Sequence, residues 1–253
     1  MLKYSCMPKE NSFVSGFSES ETKRIETHLE RLLPHLNTEK VTVVGGLAIR
    51  YHLLKAGISY PPRQFNDLDL LAEHREAVKP DVKKDFLIYH YHPIPKGLIK
   101  FYIVLADPIS RTKIDIFGDT NKPNETQRVK VKDYNLRIPS VEDQLVKTIF
   151  DLQRISASSY VDPKQFLDAK LLMQIADLKK ADRFWKEKNF AEFPQNIEDA
   201  FNRSLAISQE HPDWVQEKPF RKSKPYTCQE CRSTPDFPIS PMEDVYRILR
   251  YVE

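Results

Sequence analysis

The chain has 253 residues, of which 40% are hydrophobic and 30% charged, and its 39 Lys+Arg against 36 Asp+Glu leave a formal net charge of +3. That balance excludes collagen, coiled coil and wholesale disorder, and describes a chain able to bury a sizeable core in one large domain or two modest ones. No apolar run approaches the roughly 20 residues of a membrane helix, the N-terminal MLKYSCMPKENS lacks the apolar stretch of a secretory signal, and three cysteines make no disulfide framework, so a cytoplasmic protein with no membrane partner is expected.

The first predicted element is a helix over residues 18–36, where Ser18 followed three residues later by Glu21 is a capping-box pattern and Ile25, Leu29, Leu32 and Leu33 share one face. VTVV (Val41–Val44) has the β-branched content and length of a buried strand. It ends at Gly45-Gly46, two of only six glycines in the chain. Average usage is about 7%, so backbone freedom is concentrated at this one point. A helix follows in LAIRYHLLKAG, closed by Gly57 just past its C-cap. Pro61-Pro62 and Arg63 lead into DLDLL, whose alternation from Asp67 reads as a strand. Further strands are predicted over 86–92, 100–106 and 112–117, with weaker ones over 129–131 and 136–138. From Ser140 the pattern turns helical, over 140–155, 162–188 and about 194–209, the second segment opening on Asp162-Pro163 as N-cap and first-turn proline. Repeated prolines from His211 to Pro241 predict an extended, irregular wrap before a last short helix in MEDVYRILRYV. The expected fold class is α+β: a mixed β-sheet with flanking helices over 1–138, a helical part over 139–210, and a proline-rich tail with a short terminal helix over 211–253.

Asp67 and Asp69, two apart on a strand, share one face while Leu68 and Leu70 face the other. Mg²⁺ takes oxygen ligands, usually one or two carboxylates plus phosphates, so the pair suits it; a solvated strand edge accounts for the pair as well. Asp115 places a charge inside the apolar KIDIF, which is costly unless the charge is paired or bound to a metal. It therefore reads as a ligand or as a salt-bridge partner. If the two strands are neighbours, three carboxylates converge and can bridge two ions. The glycine turn entering a helix N-terminus adds backbone N–H groups suited to a phosphate.

In the order VVGGLAIRYHL (43–53), RQFNDLDLL (63–71), KIDIF (113–117), SVEDQLVKTIFDLQR (140–154) and KQFLDAKLL (164–172), the sequence resembles the DNA polymerase beta-like nucleotidyltransferase superfamily, and within it the abortive-infection AbiEii-type toxin nucleotidyltransferases. The resemblance implies a nucleotidyltransferase-type sheet in which Gly45 and Gly46 hold a triphosphate and Asp67 and Asp69 ligate two Mg²⁺ ions, with Mn²⁺ as a substitute. Asp115 is then the third ligand, assisting deprotonation of the nucleophile. Arg63, Lys147 and Lys164, the last with Asp168, are the implied nucleotide contacts. The sequence departs from the family pattern at Leu47 and Phe65, where small hydroxyl residues are common, and at Gln165, where the later motif carries an acid. The implied activity is Mg²⁺-dependent transfer of NMP from an NTP to a hydroxyl acceptor such as a tRNA 3′ end, with an antitoxin protein as partner. The alternatives are a catalytically silent nucleotide- or RNA-binding module, and transfer to a small-molecule or protein hydroxyl.

Taken alone, Ser140 with Asp143 is a helix cap under any function, Lys147 is a phosphate contact or a solvated lysine, Arg63 touches substrate or pairs with Asp67, and His52 packs its own helix. Cys228 and Cys231 form one CxxC. A structural zinc site needs four ligands, and the other candidates by type, Cys6 and His211, stand at no zinc-finger spacing, so two thiols in a loop are expected. Basic residues at Lys179, Lys180, Arg183, Lys186 and Lys188, and at Lys218, Arg221, Lys222 and Lys224 beside Phe220 and Tyr226, offer an RNA surface or simply a solvated helix face and a polar tail.

Overall fold

The structure, a computed structural model, describes residues 17–60, 65, 67–93, 99–119, 122–131, 133–188, 192–217 and 229–249; Arg63, Cys6, Cys228 and the basic cluster at 218–224 lie outside them. Helix α1 (Glu19–Leu32) starts where Ser18 Oγ accepts the N–H of Glu21 at 3.2 Å, and it buries Ile25, Leu29 and Leu32. The Glu21 side chain does not close the expected box. It accepts the N–H of Phe65 at 2.9 Å instead, tying α1 to the chain just before β2.

Strand β1 (Val41–Val44) runs directly into α2 (Gly45–Lys55), so the double glycine is the first turn of the helix itself. The far end of α2 is closed by two bonds, Ile58 N–H to the Leu53 carbonyl at 2.8 Å and Gly57 N–H to the Leu54 carbonyl at 3.0 Å, with Gly57 at φ +74° as a Schellman motif requires.

Strands β2 (Asp67–Ala72), β3 (Leu87–His92), β4 (Ile99–Ala106), β5 (Lys113–Asp119), β6 (Thr126–Val131) and β7 (Tyr134–Pro139) join β1 in a 7-stranded sheet of order β3-β4-β5-β2-β1-β7-β6. The pairs β2/β5 and β1/β7 are parallel and the rest antiparallel, so the sheet is mixed. Val43, Leu68, Leu70, Ile103, Leu105, Ile114 and Ile116, each fully buried, form one face and pack with α1 into a single core. The two-residue period then sends positions 67, 69, 102, 113 and 115 to the opposite face.

Helices α3 (Val141–Gln153), α4 (Ile155–Ser158), α5 (Pro163–Met173), α6 (Leu178–Glu187) and α7 (Ile197–Glu210) gather Leu145, Ile149, Leu152, Leu172, Trp185 and Ala200 into a second core, joined by Ile49 and Leu53 of α2. The predicted helix over 162–188 is in fact two helices. Asp177 ends the run by accepting the N–H of Lys179 at 3.0 Å, which starts α6 in a new direction. Helix α2 bridges the cores, Leu47 on the sheet side and Leu53 on the helical side, and His52 Nε2 lies 2.9 Å from the Pro139 carbonyl, where β7 hands over to α3. Residues 229–241 run along β3, with the N–H of Arg232 on the Tyr91 carbonyl and that of Ser240 on the Ile88 carbonyl, both at 2.9 Å. Helix α8 (Met242–Leu249) then packs Val245 and Leu249 against Ala106. No described helix is long and apolar enough to cross a membrane.

Candidate active site

The register of β2 against β5 sets Asp69 beside Asp115 and Asp67 beside Lys113. Neighbouring strands lie about 4.8 Å apart, so three carboxylates and one ammonium form a compact block on the open face of the sheet. Lys113 Nζ is 2.5 Å from Asp115 Oδ2, and the Tyr102 hydroxyl of β4 donates to Asp115 Oδ1 at 2.6 Å, so both oxygens of this buried carboxylate are engaged. Tyr102 is itself stacked on Phe117, with ring centroids 4.9 Å apart. Asp67 is exposed at the mouth of the block.

Burial, and after it the charges of Asp67 and Asp115, push the Asp69 carboxyl up to about 7. Burial pulls the Lys113 ammonium down, but Asp115 above all, with Asp67 and Asp69, outweighs it and Lys113 is raised. One ammonium does not balance three carboxylates. The surplus negative charge on hard oxygen donors fits a divalent cation of the Mg²⁺ or Mn²⁺ kind.

Gly45 completes this corner for a steric reason. It stands at φ +67°, and a Cβ there would meet Asp69 Oδ2 at 2.2 Å, so no other residue fits without moving the carboxylate. Among the described residues no side chain caps the first turn of α2, which leaves its N–H groups to a ligand or to water. Gly46, next in line, is exposed.

The block and the glycine turn open on a cleft of about 1230 Å³. Ligand pockets usually span ~300–1,000 Å³, so this cleft is large for a ligand site. Its lining also includes Lys147 and Lys164. Lys147 Nζ is 2.6 and 2.5 Å from the two oxygens of Asp151, and Lys164 Nζ is 3.3 Å from Asp162 Oδ2. Asp168 accepts the Tyr60 hydroxyl. The structure thus brings Asp67, Asp69, Asp115, Gly45, Gly46, Lys147 and Lys164 to one cleft, while Arg63 is outside the described residues.

Sequence reasoning missed Lys113 and Tyr102. Lys113 was legible as the residue two before Asp115 on the same strand face; Tyr102 needed the pairing of β4 with β5. It also missed the surroundings of Cys231, a half-buried thiol in an irregular segment as expected. His90 Nδ1 and His92 Nε2 of β3 lie 3.0 and 3.3 Å from its Sγ. Burial, then His92, pulls the His90 imidazole down to about 4, so it is neutral at neutral pH. His211, the histidine considered from sequence, instead stacks on Trp214 with centroids 3.9 Å apart. In the described basic cluster, Lys180 is paired with Glu125 at 2.5 Å and Glu142 at 3.4 Å and Lys188 bonds the Lys122 carbonyl, while Lys179, Arg183 and Lys186 are exposed.

No family model matches the chain, and no curated protein matches it. Among solved structures it is similar to the antibiotic-resistance factor ANT(2'')-Ia, at 13% identity and TM-score 0.46 over 76% of this chain and 98% of that one. It is also similar to an antigenic nucleotidyltransferase-like protein from Paracoccidioides brasiliensis, at 15% identity and TM-score 0.39 over 78% of this chain and 91% of that one. A third likeness is to the polyadenylate synthase of Megavirus, at 10% identity and TM-score 0.41 over 75% of this chain and 42% of that one.

Proposed function

We propose that the chain is a Mg²⁺-dependent nucleotidyltransferase that moves a nucleoside monophosphate from an NTP to a hydroxyl acceptor. The observation that carries this reading is the meeting of Asp67, Asp69 and Asp115 on one sheet face against the Gly45 turn. These three carboxylates would hold Mg²⁺, which when bound supplies neutralisation of triphosphate charge and a lowered pKa for the attacking hydroxyl. The uncapped N–H groups of α2 receive phosphate oxygens, and Lys147 and Lys164, which line the same cleft, exchange Asp151 and Asp162 for phosphate. Arg63, just ahead of β2 in the sequence, joins them as a nucleotide contact in this reading.

In the transfer the acceptor oxygen forms a bond to the α-phosphorus while the α–β phosphoanhydride bond breaks. Pyrophosphate leaves with the electron pair, and the acceptor proton passes to Asp115, whose charge Lys113 balances in the absence of substrate. The protein's contribution is positioning and charge complementarity. For the acceptor, the exposed Lys179, Arg183 and Lys186 of α6 support an RNA end, a tRNA 3′ hydroxyl among them, and a toxin-like role restrained by an antitoxin belongs to the same proposal. The test is transfer of α-labelled phosphate from each NTP, with Mg²⁺, to total RNA and to small polyhydroxyl acceptors. If wild type labels nothing, or a chain with Asp67→Ala and Asp69→Ala labels as well as wild type, the proposal fails.

One observation favours a second reading, nucleotide binding without turnover: both Asp115 oxygens are already engaged, by Lys113 and Tyr102. NTP binding in a calorimeter that is indifferent to EDTA and releases no pyrophosphate would select it.

A further inference from the structure

We infer a second metal site in this chain, of the Zn²⁺ class, formed by His90, His92 and Cys231 and fastening the C-terminal segment to β3. The two histidines are two apart on β3, so both imidazoles stand on one face of the strand. The donor atoms of all three residues lie within 4.8 Å of one another, and the two nitrogens are 3.0 and 3.3 Å from the sulfur. Tetrahedral Zn²⁺, with Zn–N of about 2.0–2.1 Å and Zn–S of about 2.3 Å, separates its ligand atoms by roughly 3.3–3.6 Å. The two nitrogen–sulfur separations lie at or a few tenths of an ångström below the lower end of that range, so a small outward shift of the Cys231 side chain brings them into it.

The backbone around the site is already anchored. The amide of Arg232, next to Cys231, bonds the carbonyl of Tyr91, the residue between the two histidines, and the Tyr91 ring lies 4.8 Å from that of Phe237 farther along the same segment. Glu230 adds a carboxylate behind one ligand: its Oε2 is 3.8 Å from His92 Nδ1, while Nε2 of that ring faces the sulfur. A carboxylate that accepts from the non-ligating nitrogen is the usual way a metal-bound imidazole is oriented, and Glu230 stands within ion-pair reach of that nitrogen, short of a hydrogen bond. Two imidazoles and a thiolate are soft and borderline donors that select Zn²⁺ over Mg²⁺, whereas the Asp67, Asp69 and Asp115 block offers only hard oxygen. One sheet face would then sort two kinds of ion by ligand chemistry. Three protein donors leave the fourth tetrahedral position to a water or another side chain.

The test uses the full chain, purified without chelator, and is independent of nucleotidyl transfer. Elemental analysis is expected to find close to one zinc per chain, unchanged by Asp67→Ala with Asp69→Ala. Stripped protein titrated with Co²⁺ should develop a thiolate-to-cobalt charge-transfer band saturating at one equivalent. Cys231→Ser should abolish that band, and His90→Ala should weaken the metal by about tenfold or more. Chelation should also speed proteolytic cutting within residues 229–241. The inference is overturned if wild type takes up no zinc and shows no cobalt band, the contacts then being thiol–imidazole hydrogen bonds only, or if the band survives Cys231→Ser. Should His90→Ala fail to fold, the wild-type titration still decides.

Discussion

Asp107, fully buried at the end of β4, and Asp69, half-buried at the base of the cleft, have carboxyls on opposite sides of the usual carboxylate range. Burial pushes both upward. At Asp107 the donors win: His28 Nδ1 at 3.0 Å, the Ile109 N–H at 2.9 Å and the Ser110 hydroxyl at 2.7 Å hold it at about 2, and Arg31 Nε stands 3.3 Å away. At Asp69 burial and two more carboxylates outweigh the ammoniums of Lys113 and Lys147, and it rises to about 7. Asp107 is a structural joint between α1 and the sheet, its charge fully answered from inside the fold. Asp69 keeps an excess of like charge around it, which in the proposed reading a divalent cation offsets.

The largest expected effect comes from emptying the unanswered cluster. Asp67→Ala with Asp69→Ala should lower label transfer by about 10³-fold or more while costing almost no stability. Asp107→Ala should do the reverse, lowering the unfolding free energy in urea by about 3–5 kcal/mol because His28 and Arg31 lose their carboxylate and the Ile109 amide its acceptor, with kcat/KM of the folded fraction little changed. Equal stability losses at the two sites would erase the contrast.

Gly45→Ala should cost about 2 kcal/mol, from the left-handed backbone and from the displaced Asp69 carboxylate, and should lose activity along with stability. Asp69→Asn tests the sign of the electrostatics. The unfolded chain gives up this proton near pH 4 and the folded chain near 7, so stability falls across that window as pH rises and is lowest above it. Asparagine should therefore stabilise the metal-free protein by about 1–2 kcal/mol at pH 8, a rise of roughly 2–8 °C in Tm, and should do little at pH 4. Mg²⁺ should raise the wild-type Tm more at pH 8 than at pH 6, and EDTA should cancel the difference. Asp107 works the other way, its stability present above about pH 4 and lost as pH falls toward 2. The smallest expected effect is at Lys147, where Lys147→Ala should raise KM for the NTP by about tenfold, since that lysine exchanges one anion for another.

Much of this was legible in the chain because it is local. The β1 run, the glycine turn, the Gly57 closure and the Ser140 cap each depend on residues within one turn of one another, and their spacing carries the signal. The Asp67 and Asp69 pair shares a face by period alone, and only its meeting with Asp115 needed the parallel pairing of β2 with β5. What could not be read depends on partners far away along the chain. Glu21 looked like a box residue and binds Phe65; the break at Asp177 competes with a strong helical pattern; His90 and His92 find Cys231 because the tail folds back over β3. A search for zinc ligands by spacing along the sequence cannot see a pair supplied by a strand 139 and 141 positions away.

That return of the tail has a consequence for the behaviour of many copies together. Strand β3 is outermost in the sheet, and LIYHYH is the kind of apolar, aromatic ribbon onto which another chain readily adds a strand. Residues 229–241 occupy that rim, with Arg232 and Ser240 donating to Tyr91 and Ile88. They act as a guard rail: with them in place the ribbon is out of reach of its neighbours, and a protein cut short before them would clump in concentrated solution well before its interior came apart.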